Sequence, residues 1–370
     1  MIDFLGLKNF KAFSSLELSM APLTLLAGIN AVGKSTVLQA LAVLRQSFNA
    51  GTLADEGLLL NGELVALGTG QDVLHEYYGA GGDGPEISIR LVEDTHEYEW
   101  SVRYGREDDL LRIDKTPTHD LSGLSLFRSG FQYLRADRAV PAVSYPKSYE
   151  AAVRRAFLGA TGEHAINYLR FHQDDRLPDT AILHPEAASS ALLDQVTAWM
   201  QEFCPGVNLQ VADLEGTDSV RLNYGFFGTA GISSSNRYRP TNVGFGLTYV
   251  LPVVVALLTA AAGTVILLEN PEAHLHPRAQ TLMGKLVGRA AAQDVQIVME
   301  SHSDHVLNGV RLAVKDGTVG ARDVALHYFQ RNRTGNLSVA HPTVGPDGML
   351  SEWPDGFFDE WDRTLDDLLS

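Results

Sequence analysis

The stretch Gly28-Ile-Asn-Ala-Val-Gly33-Lys34-Ser35-Thr36 decides how the rest of the chain is read. It is a complete GxxxxGK[ST] pattern, and it stands in the context that the pattern needs. LTLLAG (residues 23–28) reads as a buried strand, and TVLQALAVLRQSF (36–48) carries apolar residues at helical spacing. Gly28 and Gly33 let backbone N–H groups converge on phosphate oxygens, and the helix N-terminus adds a partial positive charge. Lys34 would reach the β and γ phosphates and Ser35 would ligate Mg2+, with Asn30 and Thr36 counted in the same cradle.

Working outward, residues 1–27 alternate apolar and polar side chains, as short strands feeding the buried one do, and 86–114 alternate again as an antiparallel meander. Residues 149–203 turn helical and read as an insertion. Strands return at 207–227, followed by the polar loop GTAGISSSNRYRPTN, and then strand and helix alternate to VALHYFQ. That order predicts an α/β fold, a mostly parallel sheet with its working loops at strand C-termini.

The chain has 370 residues, more than one average domain of about 150 needs. Apolar residues make up 45% and charged ones 20%, which excludes disordered and collagen-like classes. With 29 Lys+Arg against 45 Asp+Glu, the net charge of −16 excludes a uniformly basic nucleic-acid sleeve. A single cysteine, Cys204, fits a reducing compartment, and no secretory signal is visible at the start, so a cytoplasmic protein is expected. Residues 246–268 form an uncharged run of 23, long enough to span a bilayer. Pro252 and Gly263 interrupt it, so the expectation is a buried helix, a turn and a buried strand, without a membrane span.

The second half says which nucleotide enzyme this would be. TVILLENPEAHLHP ends a hydrophobic strand in acids, and Glu269 at the strand end would hold Mg2+. Upstream, Asn242, Gly244 and Gly246 open an apolar helix whose bare N-terminus suits an anion. Downstream, VQIVMESHSDH places His302 just after a strand, within reach of a γ-phosphate. Gln71 in LGTGQDVLH is a candidate phosphate-sensing and metal-linked glutamine, a turn residue being the alternative.

In this order the segments resemble the ABC-type ATPase heads of the RecF, SMC and overcoming-lysogenization-defect (OLD) nuclease group. IDFLGLKNFKAF…LTLLAGINAVGKSTVLQAL, NVGFGLTYVLP, ENPEAHLHP and ESHSDHVLNGVR look most like stand-alone prokaryotic AAA-type ATPases, and YLRADRAVPAVSYP and GFFDEWDRTLDDLL are in the same style. The resemblance implies a P-loop NTPase of ABC-ATPase head type: a mixed central sheet, an antiparallel β subdomain and a helical insertion. It further implies a homodimer closed by ATP, with Asn242, Gly244 and Gly246 acting in trans and Lys34, Ser35, Glu269 and His302 in cis. One departure matters. Such heads usually end this strand in Asp-Glu, whereas here the pair is Glu269-Asn270. Asn270 can orient water but takes no proton, so Glu272 becomes the candidate base, a slow switch-like ATPase being the alternative.

His274 and His276 lack a clear third ligand and are expected to hold geometry rather than zinc. His172 with Asp174 and Asp175 reads as a solvated helix end. Arg135, Arg138, Lys147, Arg154, Arg155 and Arg170 give residues 135–170 a weak positive balance, a candidate DNA groove or an ordinary charged surface. The last 25 residues hold eight acids against Arg363, interleaved with Trp353, Phe357, Phe358 and Trp361, and are expected to dock on the ATPase lobe or on a partner.

The resulting division is an N-terminal ATPase lobe (1–140), a helical insertion (141–206), a C-terminal ATPase lobe (207–345) and an acidic aromatic segment (346–370). The expected function is an ATP- and Mg2+-dependent ATPase acting as sensor or scaffold in DNA maintenance or anti-phage defence, with its effector on another chain. An ATPase-regulated, metal-dependent nuclease acting alone is the alternative.

Overall fold

Strands β1 (Ile2–Phe10), β2 (Phe13–Ser19) and β3 (Leu23–Gly28) lead into helix α1 (Lys34–Asn49) in the computed structural model, which describes residues 1–78, 85–178, 180, 182–227, 236–331, 337–354, 356–357 and 360–369. Next come β4 (Gly57–Leu59), the short α2 (Gly70–Val73), β5 (Glu86–Glu93), β6 (His96–Arg103), β7 (Leu110–Lys115) and β8 (Gln132–Leu134). The middle of the chain forms β9 (Tyr145–Pro146), α3 (Ala165–His172), α4 (Leu192–Phe203), β10 (Val207–Leu214) and β11 (Ser219–Phe226). It continues as α5 (Phe245–Thr259), β12 (Val265–Glu269), α6 (Pro277–Ala291), β13 (Gln296–Glu300), α7 (Asp304–Lys315), β14 (Val324–Arg331), β15 (Leu337–Ala340) and α8 (Glu360–Leu369).

These elements divide into two compact units. The first comprises residues 1–128, 298–304 and 320–370; the second comprises 129–297 and 305–319. In the first unit an antiparallel sheet runs β2-β1-β5-β6-β7-β4. Its period-two pattern is visible in β2, where Phe13, Leu16 and Leu18 are buried and Ser14, Ser15, Glu17 and Ser19 are exposed. Beside it, β14 pairs parallel with β3 and antiparallel with β15. The N–H of Ser301 donates to Leu26 O, which brings the end of β13 to the same layer. The continuous burial of Leu23 to Ala27 is what a parallel strand covered on both faces requires.

In the second unit β12 pairs parallel with β8, and Gln296 N–H donates to Thr264 O at the start of β13. A separate antiparallel sheet runs β10-β11-β9. Helix α4 buries Leu192, Val196, Trp199 and Met200, one face at helical spacing. Residues 141–206 hold β9, a π-helical turn at Tyr149–Arg154, α3 and α4. The apolar run 246–268 is the 15-residue α5 with Pro252 inside it, a break, and most of β12. Among the described residues no helix is long and apolar enough to cross a membrane.

Helices α6 and α7 meet glycine to glycine. A Cβ on Gly284 would lie 3.0 Å from Gly309 Cα, and one on Gly309 would lie 2.9 Å from Gly284 Cα. Neither position has room for a side chain.

Candidate functional site

In the first unit, β3 ends on Gly28 at φ +143°, where a Cβ would collide with the Phe329 carbonyl of β14. The loop then exposes Ile29, Asn30 and Ala31 and turns through Gly33 at φ +88°. A Cβ on Gly33 would come within 2.7 Å of the Phe13 ring and of Ala12. Both glycines therefore answer a backbone need that other residues cannot meet. Helix α1 starts at Lys34 with no capping side chain and no acid in its first turn, so no side chain competes with an anion for its N-terminus. Thr36 is buried, and its N–H donates back to Gly33 O at 3.0 Å.

Lys34 Nζ donates to Gly28 O at 3.0 Å and Ile29 O at 2.7 Å and stands 3.7 Å from Glu300 Oε1. Ser35 Oγ donates to the other oxygen of the same carboxylate at 2.7 Å. His302 Nε2 lies 3.6 Å from Glu300 Oε1. Burial holds Lys34 below its ordinary pKa, with Glu300 opposing. For Glu300 burial acts upward, yet His302, Ser35 and Lys34 together outweigh it and keep the carboxyl below its usual range. Glu300 is the functional candidate that sequence reasoning missed. Its signal was an acid ending the apolar strand VQIVME, the same kind of signal that pointed to Glu269. Alongside the loop lies a cavity of about 510 Å³ lined by Lys11, Phe13, Ala31, Tyr77, Arg331 and Ser338 among others.

In the second unit, β12 ends on Glu269, whose carboxylate accepts from the Tyr133 hydroxyl and, at 3.0 Å, from Ala136 N–H. Arg138, only 3% exposed, donates to the carbonyls of Glu269 and Asn270 and lies over the Tyr249 ring at 5.0 Å. Burial pushes its pKa down to about 10, against the pull of Tyr249, Glu272 and Glu269. Asn270 takes φ 43°, a left-handed conformation that Asn tolerates better than most residues, and its Oδ1 is buried without a hydrogen-bond partner. Glu272 is buried in the following turn. His274 packs its ring against Phe245 and Tyr249, and His276 caps α6 through Nδ1. Asn242 and Gly244 are exposed ahead of α5, and Gly246 passes so close that a Cβ would sit 2.6 Å from His274 O.

The first unit thus gathers Lys34, Ser35, Glu300 and His302, and the second gathers Glu269, Asn270 and Glu272 with the start of α5. Gln71 stands on α2 with its side-chain oxygen accepting from Arg106 at 2.9 Å. The positive balance over 135–170 is largely neutralised. Arg138 is buried, Lys147 (2.7 Å) and Arg170 both close on Asp213, and Arg154 pairs with Glu150 at 2.8 Å. His172 Nδ1 sits 2.6 Å from Asp175. Near the C-terminus Phe357 is buried against Tyr328 of β14 and Trp353. Phe358 and the side chains of Trp361 and Arg363 lie outside the described residues, as does part of the polar loop before Asn236.

A buried parallel strand, a glycine loop with an inward lysine, and a helix with an open N-terminus define a P-loop nucleotide-binding core. Over residues 23–308 the chain matches the family described as AAA domain, putative AbiEii toxin, Type IV TA system. It belongs to that family. Residues 319–368 match a second family model, DUF3696, described as a protein of unknown function. No curated protein matches significantly. Among solved structures, the SmcHead bound to the C-winged helix domain of ScpA aligns with a TM-score of 0.54 at 12% identity, covering 93% of this chain and 98% of that one. A Smc head domain with an extended coiled coil, bound to the C-terminal domain of ScpA derived from Pyrococcus furiosus, aligns at TM-score 0.52 and 10% identity, over 100% and 99% of the two chains. At such identities the likeness shows the fold, that of SMC-head ABC ATPases.

Proposed function

We propose that this chain binds and hydrolyses ATP with Mg2+, closes as a homodimer around the nucleotide, and works as a sensor or scaffold for an effector on another chain in DNA maintenance or anti-phage defence. The observation that carries the reading is Lys34 and Ser35 at the uncapped N-terminus of α1, the arrangement that receives a triphosphate. The cavity beside the loop has the size and the mixed lining that a nucleoside needs. Mg2+, when bound, would neutralise charge developing on the phosphates. Asn242, Gly244 and Gly246 would present the start of α5 to the nucleotide of the partner copy. His302 would hydrogen-bond the γ-phosphate, Asn270 would orient water, and Glu272 would accept its proton. The location that fits this role is the cytoplasm.

The test is turnover by Glu272→Gln. Loss of a general base lowers the rate by about 10²–10⁴-fold. The variant is expected to accumulate as an ATP-bound dimer by light scattering, and unchanged turnover would remove Glu272 from the mechanism. DNA cleavage by the pure chain with Mg2+ or Mn2+ would replace the scaffold reading with that of a nuclease.

A further inference from the structure

We infer that Glu300, together with Ser35, holds the Mg2+ of the bound nucleotide, the role that the position of Glu269 at a strand end had pointed to in the sequence. This rests on the ATP-binding reading above.

The Ser35 hydroxyl is the loop oxygen expected to ligate the metal in this motif. The carboxylate it donates to is Glu300, at 2.7 Å. Glu300 is 6% exposed, so its charge is held by its neighbours: Lys34 at 3.7 Å, His302 at 3.6 Å and the Ser35 hydroxyl. A triphosphate entering the loop draws Lys34 away from Gly28 O, Ile29 O and Glu300 toward its own oxygens. That would leave a buried carboxylate without its lysine, next to a ligand of the same sign, which is an unfavourable state for a buried charge. A divalent cation between carboxylate and phosphate removes the conflict. The donors on hand, a hydroxyl and a carboxylate, are the hard oxygen ligands that Mg2+ takes. Without nucleotide, Lys34 keeps the position neutral; with it, the metal takes over that compensation. By contrast, the Glu269 carboxylate is engaged by Tyr133 and Ala136 N–H, which suits it to holding the turn after β8.

The experiment measures binding of a fluorescent ATP analogue, with Mg2+ and with EDTA, to the full chain and to Glu300→Gln, Glu300→Asp and Glu269→Gln. Mn2+ electron paramagnetic resonance of the ternary mixture provides a second readout. Glu300→Gln should keep or improve metal-free binding while losing the tightening that Mg2+ gives, by about 10–100-fold in metal affinity. Glu300→Asp should recover part of it, which separates a ligand role from a folding defect. Wild-type Mg2+ dependence in Glu300→Gln overturns the assignment, and so does loss of that dependence in Glu269→Gln alone. A wild-type chain that binds no analogue in either condition refutes the ATP-binding reading instead.

Discussion

Replacing Arg138 by Met removes a buried cation at the end of β12 while keeping most of its volume. The guanidinium donates to the carbonyls of Glu269 and Asn270, and Asn270 O keeps Ala273 N–H as a second donor, so what is lost is two charge-assisted hydrogen bonds at about 1.5–3 kcal/mol each. Loss of the stack on Tyr249 adds about 1 kcal/mol. Glu269 and Glu272 also lose the positive charge that faces them. Against this stands relief from burying the charge: a pKa pushed down to about 10 corresponds to about 3 kcal/mol against the charged form. The net expectation is a loss of about 1–4 kcal/mol. Urea denaturation followed by far-ultraviolet circular dichroism measures it, with Arg138→Lys expected between the two. An Arg138→Met chain as stable as the parent, or more so, would show that this arginine is merely tolerated in the core and that the turn after β12 is held by other contacts.

The start of α5 offers a paired test. Gly246→Ala forces a Cβ against His274 O and should lower stability by about 1–3 kcal/mol. Gly244→Ala meets nothing within 4 Å, so its thermal midpoint should stay unchanged. Any turnover lost in the Gly244 variant then reports a close approach by nucleotide or partner, and a matching drop in midpoint would refute that assignment. His327, buried against Ser19 O and His341, has its pKa pushed down to about 4 by burial. The unfolded chain therefore takes up this proton first as pH falls, and stability declines between about pH 6.5 and 4, by about 3 kcal/mol in all. His327→Gln should flatten that decline in a series of melts at stepped pH, and an unaltered slope would assign it to other groups.

The glycine loop was legible because its whole requirement is local: strand, turn, lysine and helix follow within about twenty residues of sequence. The apolar run was legible too, since Pro252 and Gly263 break it where a membrane span would continue. Glu300 escaped because its meaning lies in Ser35, 265 positions away in the chain. Glu269 could be read as an acid at a strand end, but its engagement by Tyr133 depends on the pairing of β12 with β8, which no spacing reveals. Arg138 was misread as surface charge for the same reason. Local pattern treats every arginine as solvated, and only the carbonyls and the ring around it make burial tolerable. The one acid that neutralises both Lys147 and Arg170, Asp213, likewise comes from β10, far along the chain.

The glycine contact between α6 and α7 has a mechanical consequence. Most helix pairs are separated by a layer of side chains that can change rotamer and let one helix slide over the other. At Gly284 and Gly309 that layer is missing, and backbone meets backbone. Shear at this crossing would need the two main chains to pass through one another's van der Waals surfaces. A shift of α6 across α7 at this crossing would therefore meet backbone rather than a side chain able to change rotamer.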